Sequence, residues 1–183
     1  KGERFWPQSR LSNPKQLLRL LGNLTLIEQT IERLSAIFDY SHIIVVTNTN
    51  YVAPMRSLLS YLPQENIMGE PEGKDTAPCI ANAAAYIKNT SRVPDPVLCL
   101  FPTDHIINDT VSFYDALADS LAVAEDTHHI VTIGIKPNAP MTGYGYIEVG
   151  DKMNFTSKTV FRKVCGFKEK PSLELSEAYV ADG

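Results

Sequence analysis

The sequence predicts an α/β fold, with helices alternating with the strands of a mainly parallel sheet. Two observations carry this. The runs "HIIVVTN" at 42–48, "VLCLFPTDH" at 97–105 and "HIVTIGI" at 129–135 are short, rich in Val, Ile and Leu, and bounded by polar residues. Continuous apolar runs of this length suit strands buried on both faces, as parallel strands are. Stretches of helical periodicity lie between them, and such alternation packs as right-handed crossovers on one sheet.

The elements follow in order. "NPKQLLRLLG" at 13–22 reads as a helix closed by a glycine stop. "TLIEQTIERLSAIF" at 25–38 opens with Thr25 and Glu28 at capping-box spacing and carries Leu26, Ile27, Ile31, Leu34 and Phe38 on one face. The strand at 42–48 leads into a helix over 51–62, a strand-like turn, and a helix over 77–89 rich in alanine. The strand at 97–105, a helix over 110–126 and the strand at 129–135 come next. Residues 136–157 hold turn residues ("KPNAPMTG", "GDKMN") and read as a loop insertion at the sheet edge. "YGYIEVG" at 144–150 and "KTVFRKVCGFKEK" at 158–170 alternate more and read as later or edge strands, before a helix over 172–183.

Composition narrows the function. The 183 residues suffice for one sizeable domain, or a domain plus a small appendage, and 44% hydrophobic with 21% charged residues is ordinary for a globular protein. No run approaches the ~20 apolar residues of a membrane span. A net charge of −4 argues against bulk attraction to nucleic acid or anionic lipid. Cys79, Cys99 and Cys165 sit in apolar runs without metal-ligand spacing, which reads as buried reduced thiols and a cytoplasmic protein. Two basic clusters stand out. Lys1, Arg4, Arg10, Lys15 and Arg19 share residues 1–19 with one acid, Glu3. Lys158, Arg162, Lys163, Lys168 and Lys170 share residues 158–170 with Glu169. They suit a small, highly charged anion, or are solvated faces.

In open α/β sheets ligands bind beyond the carboxyl ends of the strands. This singles out Asn48, Glu70, Asp104, His105, Lys136 and the stretch near Thr142. At "KGERFWPQSRLSNPK", Gly2 permits a bend whose amides can meet phosphate oxygens, with Arg4 and Lys15 as cations. Alternatively the stretch is an irregular basic surface. Asp104 ends a run read as a buried strand, where a carboxylate faces a ligand or, alternatively, caps a helix or forms a turn. Asp75 or Thr76 caps the helix of "DTAPCIANAAAYI", whose small face (Ala77, Ala81, Ala84, Ala85) admits close approach, and which reads as a tightly packed core helix whether or not a site lies there. In "TGYGYI" the alternating glycines mark close backbone approach to a ligand or an edge-strand bulge.

These stretches together resemble the sugar-nucleotide pyrophosphorylases, and most closely the mannose-1-phosphate guanylyltransferase group. The opening is similar to the family signature "GGxGxRLWPxSxxxxPK", "EPEGKDTAP" at 70–78 to "EPxxRNTAP", and "FPTDHII" at 101–107 to "LPADHxI". "TGYGYI" at 142–147 is intact, and "GFKEKP" at 166–171 matches "xFxEKP". The resemblance runs in order along nearly the whole chain. It implies a Rossmann-like three-layer nucleotidyltransferase (GT-A-like) fold with a mainly parallel sheet. It also implies one catalytic domain over 1–183, cut at both ends. The family's first strand and "GG" would precede Lys1, and a segment bearing "NSG" and a second acidic metal ligand would follow Gly183.

The resemblance further implies transfer of GMP from GTP to mannose 1-phosphate, with Mg²⁺ as cofactor. Arg4, Lys15, Asp104 and Lys170 would be catalytic, and Asp104 would hold the metal. Gly2, Glu3, Arg4, Lys15, Glu70, Pro71, Asp75, Thr76, Ala77 and Pro78 would bind the nucleotide. Thr142, Gly143, Tyr144, Gly145, Tyr146, Glu169 and Lys170 would bind the sugar phosphate. Asp75 stands where the family has Asn, and Lys74 where it has Arg. Another sugar-1-phosphate nucleotidyltransferase, or a non-catalytic nucleotide-sugar-binding module, are the alternative readings. The implied partners are small molecules and a homodimer mate, with neither nucleic acid nor membrane.

Overall fold

The computed structural model describes residues 6–10, 14–20 and 22–182. It resolves into two compact units, Lys1–Thr110 and Val111–Gly183.

In the first unit, helix α1 (Leu26–Leu34) starts at the expected capping box. The Thr25 hydroxyl accepts from the Glu28 N–H at 3.3 Å, and Glu28 Oε2 accepts from the Thr25 N–H at 2.8 Å. Leu26, Ile27, Ile31 and Leu34 are buried on one face. Thr30, buried among them, donates its hydroxyl to the Leu26 carbonyl. The helix ends before Phe38, whose ring instead lies 6.5 Å from that of Phe101. Strand β1 (Val45–Asn48) pairs in parallel with β2 (Ile67–Glu70), Val45 opposite Ile67 and Asn48 opposite Glu70. Between them α2 (Val52–Leu58) buries Met55, and Leu59 and Leu62 follow it into the core.

Four expectations change in this unit. The strand-like turn before residue 70 is the strand β2. Its entry is fixed by buried Asn66, which donates to the Ser41 and Ile43 carbonyls at 2.9 and 3.1 Å and accepts from the Tyr86 hydroxyl. The expected helix over 13–22 is one 3₁₀ turn, Lys15–Leu17, closed by Leu18 in an extended conformation. The run 97–105 joins no ladder among the described residues. A cavity of about 1350 Å³ is lined by residues 43–48 and 97–101 together. These runs therefore face a shared void, whereas paired strands must lie ~4.8 Å apart. Finally, α3 (Thr76–Thr90) is no tightly packed core helix: Ala83 is buried, but Ala77, Ala81, Ala84 and Ala85 are exposed.

The second unit is built on α4 (Thr110–Thr127), β3 (Gly145–Met153), β4 (Phe161–Glu169) and α5 (Leu173–Asp182). β3 and β4 form an antiparallel hairpin with two irregularities, around Glu148/Val149 and between Val149 and Lys152. "GDKMN" is therefore largely bulged strand, not turn. A side-chain carbon on Gly150 would stand 2.7 Å from Cys165 Sγ, so any larger residue there would have to turn the exposed thiol aside. The expected strand at 129–135 has no ladder among the described residues, and Ile130 is 98% exposed. Asp115 on α4 pairs with Lys158 at 2.9 Å, and Asp119 accepts the Thr159 N–H at 2.7 Å, fixing the β3–β4 connection to the helix. All three cysteines are free, but Cys165 is exposed and Cys79 and Cys99 are half-buried, so the buried-thiol expectation fails for Cys165.

Candidate functional site

Candidate residues gather in two places, one in each unit. In the first, Lys15 and Asp104, 89 positions apart, meet at 2.6 Å between Nζ and Oδ2. The 3₁₀ turn that presents Lys15 is closed by the Leu17 N–H donating to the Pro14 carbonyl and the Leu18 N–H to that of Lys15. Buried Pro14 and Leu18 anchor it on either side. Asp104 follows an irregular segment and not the expected buried strand, and its Oδ1 lies 3.9 Å from His105 Nε2. Partial burial pushes the Asp104 carboxyl upward, but the Lys15 hydrogen bond and charge outweigh this and hold it below the ordinary value. The Arg33 guanidinium donates to the His105 carbonyl, which ties α1 to this segment.

Gly2, Glu3 and Arg4 lie outside the described residues. The second expected nucleotide element, Glu70 to Pro78, runs from the end of β2 into α3. The Glu70 carbonyl accepts from the Thr49 hydroxyl at 2.9 Å. Pro71, Thr76, Ala77 and Pro78 are exposed. Asp75 holds the N-cap position of α3, yet its side chain makes no capping bond, contrary to expectation. Its backbone sits at φ 60°, ψ −155°, a region almost reserved for glycine and costing a non-glycine residue about 1–3 kcal/mol. Such strain persists where surrounding structure imposes it, and here it falls on a candidate ligand-binding turn.

In the second unit the candidates converge at one end of the hairpin. Gly145 is opposite Glu169 in the ladder, and the Lys170 N–H closes the end onto the Tyr144 carbonyl at 3.1 Å. Lys170 takes φ 45°, another left-handed backbone position at a candidate site residue. Glu169 Oε1 is 3.2 Å from Lys170 Nζ. Its Oε2 lies 2.7 Å from where a side-chain carbon on Gly145 would stand. The glycine thus makes the seat that the carboxylate occupies. Glu169 and Lys170 are 69% and 64% exposed, so both remain available to a ligand. Thr142 and Gly143 lie in the exposed turn leading to β3, and Tyr144 is exposed. The Tyr146 hydroxyl accepts the Met141 N–H at 2.9 Å, and its ring packs on Tyr179 of α5, so it holds this turn in place.

Three features were missed in the sequence. The Lys15–Asp104 pair joins two separately assigned residues, and no local spacing marks so distant a contact. The seat at Gly145 depends on strand register, which the sequence alone does not fix. The second basic cluster is not a bare cationic face: Lys158 pairs with Asp115 and Lys168 with Glu148.

Among the described residues no group of three or more His, Cys, Asp or Glu side chains is placed to hold a metal ion. A partly exposed single carboxylate such as Asp104 instead suits Mg²⁺, which takes one or two carboxylates and completes its shell with phosphate oxygens and water. Among the described residues no helix is long and apolar enough to cross a membrane.

Comparison with known proteins shows the family. The family model for nucleotidyl transferases matches residues 1–183. The chain belongs to the nucleotidyl transferase family. It is 41% identical over 184 residues to a mannose-1-phosphate guanylyltransferase of Klebsiella pneumoniae and 40% identical to one of Escherichia coli K12, in each case over 100% of this chain and 38% of the relative. A crystal structure described as a mannose-1-phosphate geranyltransferase of Thermus thermophilus superposes with a TM-score of 0.85 at 31% identity, covering 100% of this chain and 51% of that one. The chain therefore spans about two fifths of the length of the curated relatives it matches.

Proposed function

We propose that the protein to which these 183 residues belong transfers GMP from GTP to mannose 1-phosphate, giving GDP-mannose and pyrophosphate, and that residues 1–183 belong to its catalytic domain. The observation that carries this is the convergence of Lys15 and Asp104 at one point of the first unit. A cation beside a carboxylate is what a metal-associated triphosphate requires. The names of the similar proteins supply the sugar and the base.

The nucleophile needs no general base from the protein. A phosphate monoester has its second pKa near ~6 and is mostly dianionic at neutral pH. Cys79 and Cys99 are disfavoured as nucleophiles, because burial raises the thiol pKa of Cys99 and, with the nearby Glu70 charge, that of Cys79. The protein's work is then positioning and charge neutralisation, as in other phosphoryl transfers. Lys15, with Arg4, binds the triphosphate. Asp104 would hold Mg²⁺, which when bound would offset charge on the phosphate oxygens. The turn at Asp75–Pro78 receives the nucleotide beyond the phosphates. Lys170 binds the phosphate of the incoming sugar, and Glu169 on its Gly145 seat, with the 142–146 turn, accepts from sugar hydroxyls. Such a biosynthetic enzyme would work in the cytoplasm.

The test is pyrophosphate release by the full-length protein with each pairing of GTP, UTP or dTTP with mannose 1-phosphate or glucose 1-phosphate. GTP with mannose 1-phosphate is expected to be the best pair by at least about tenfold in kcat/KM, a difference of about 1.4 kcal/mol in transition-state binding. Preference for another pair would replace the guanylyl or the mannosyl assignment.

A further inference from the structure

We propose that Lys15 is a built-in stand-in for the cation at Asp104, and that it makes the metal and the nucleotide bind interdependently. This rests on the reading above, in which Asp104 takes the divalent cation and Lys15 the triphosphate. In the structure those two groups hold each other: Nζ lies 2.6 Å from Oδ2, with the side chains 26% and 38% exposed. The other carboxylate oxygen faces the His105 imidazole at 3.9 Å.

A divalent cation approaching Oδ2 therefore meets an ammonium already there. Two positive centres on one carboxylate oxygen repel each other, and partial burial weakens the screening that would hide this in water. The two positions differ in mobility. Lys15 reaches the carboxylate by a flexible four-carbon stem, while the turn beneath it is held by Pro14 and Leu18. A triphosphate offers the ammonium a more highly charged partner within reach of that stem. Once Lys15 turns to phosphate, Oδ2 is exposed at the moment when phosphate oxygens arrive to complete the metal's shell. Without the nucleotide, Lys15 neutralises Asp104 and keeps metal occupancy low. By linkage, the metal must favour the nucleotide by the same factor.

The test is Mn²⁺ binding to the full-length protein, read from loss of the free-ion electron paramagnetic resonance signal. It is done with and without a GTP analogue that cannot be cleaved between the α and β phosphates. Without nucleotide, Lys15→Met is expected to bind Mn²⁺ at least about fivefold more tightly than wild type, the low end of ordinary site-to-site coupling. Lys15→Arg, which keeps the charge, is expected to stay near wild type. The analogue is expected to tighten Mn²⁺ more in wild type than in Lys15→Met. Asp104→Asn is expected to lose this binding. If Asp104→Asn weakens Mn²⁺ but Lys15→Met binds it no more tightly than wild type, the stand-in is wrong while the metal assignment stands. If Lys15→Arg tightens binding as much as Lys15→Met, charge is not the cause and the stand-in is again wrong. If Asp104→Asn binds Mn²⁺ like wild type with and without the analogue, both readings fall.

Discussion

The two units bury their apolar residues very differently. The first, Lys1–Thr110, holds all the buried hydrophobic side chains described except Leu117 and Val123. Leu26, Ile27, Ile31, Met55, Leu59, Leu62 and Ile67 make a core around one parallel strand pair. The second unit is held by a ladder, by Asp115 and Asp119 on α4, and by the packing of Tyr146 on Tyr179 of α5. Val149, Val160, Val164 and Phe167 on or beside its hairpin are exposed. The contrast shows that an apolar run is only a proposal of burial. Whether it is buried depends on what stands beside it.

The largest expected effect sharpens this contrast. Leu59→Ala is expected to destabilise the chain by about 2–5 kcal/mol through loss of buried apolar contacts and the cavity left behind. Phe167→Ala is expected to stay within about 0.5 kcal/mol, as most surface substitutions do. Chemical denaturation of both variants checks the pair, and comparable losses would mean that the hairpin packs more tightly than its exposure shows.

Next in size is Asn66→Ala. It strands the Ser41 and Ile43 carbonyls and the Tyr86 hydroxyl, and is expected to cost about 1–3 kcal/mol by the same measurement. The corresponding polar contact of the second unit, Asp119 to Thr159, is only part-buried. A strained residue tests the first unit from the opposite direction. Asp75→Gly relieves a backbone conformation costing about 1–3 kcal/mol and is expected to raise stability by about 1 kcal/mol after glycine's greater unfolded entropy is set against it. A loss of stability would show that the Asp75 side chain makes a contact worth more than the strain.

The smallest effect is one of pH. Hydrogen bonding from Thr159 holds the Asp119 carboxyl below its ordinary 3.8. A depressed folded-state value contributes stability above the unfolded value, and that contribution is lost as pH falls through the folded one. The link from α4 to the β3–β4 connection is thus expected to be constant from neutral pH to about 4 and to loosen only below 3.8. Chemical shifts of the Thr159 amide against pH check this, and a midpoint above 3.8 would contradict it.

How much of this was legible follows the same division. The capping box at Thr25 and Glu28 and the buried stripe of α1 are local patterns, and both appear as expected. The strands at 97–105 and 129–135 were expected from composition alone. A ladder needs a neighbour, and a run of Val, Ile and Leu does not carry its neighbour with it. β2 went the other way: "IMGE" is a weak strand pattern, made strand by its register against β1 and by Asn66. Candidate site residues can be named from the sequence, but which of them meet in the fold cannot. Lys15 and Asp104 were each singled out, yet their contact is a product of the fold. Glu169 was singled out, but its seat at Gly145 exists only in the observed hairpin register. Gly145→Ala isolates that seat. The new carbon would displace only the end of a flexible side chain, so stability is expected to change by less than about 1 kcal/mol while use of the sugar phosphate falls.

The central claim is that the first unit handles the nucleotide and the second reads the sugar phosphate. The most direct measurement is kcat/KM for GTP and for mannose 1-phosphate, each at saturating partner, in full-length Lys15→Ala and Glu169→Gln. Lys15→Ala is expected to fall mainly in kcat/KM for GTP. Glu169→Gln is expected to fall about ten- to hundredfold for mannose 1-phosphate, the cost of about 1.5–3 kcal/mol of charge-assisted hydrogen bonding, with little change for GTP. If each variant instead lost equally on both substrates, or if Glu169→Gln lost nothing, this division of labour would be wrong.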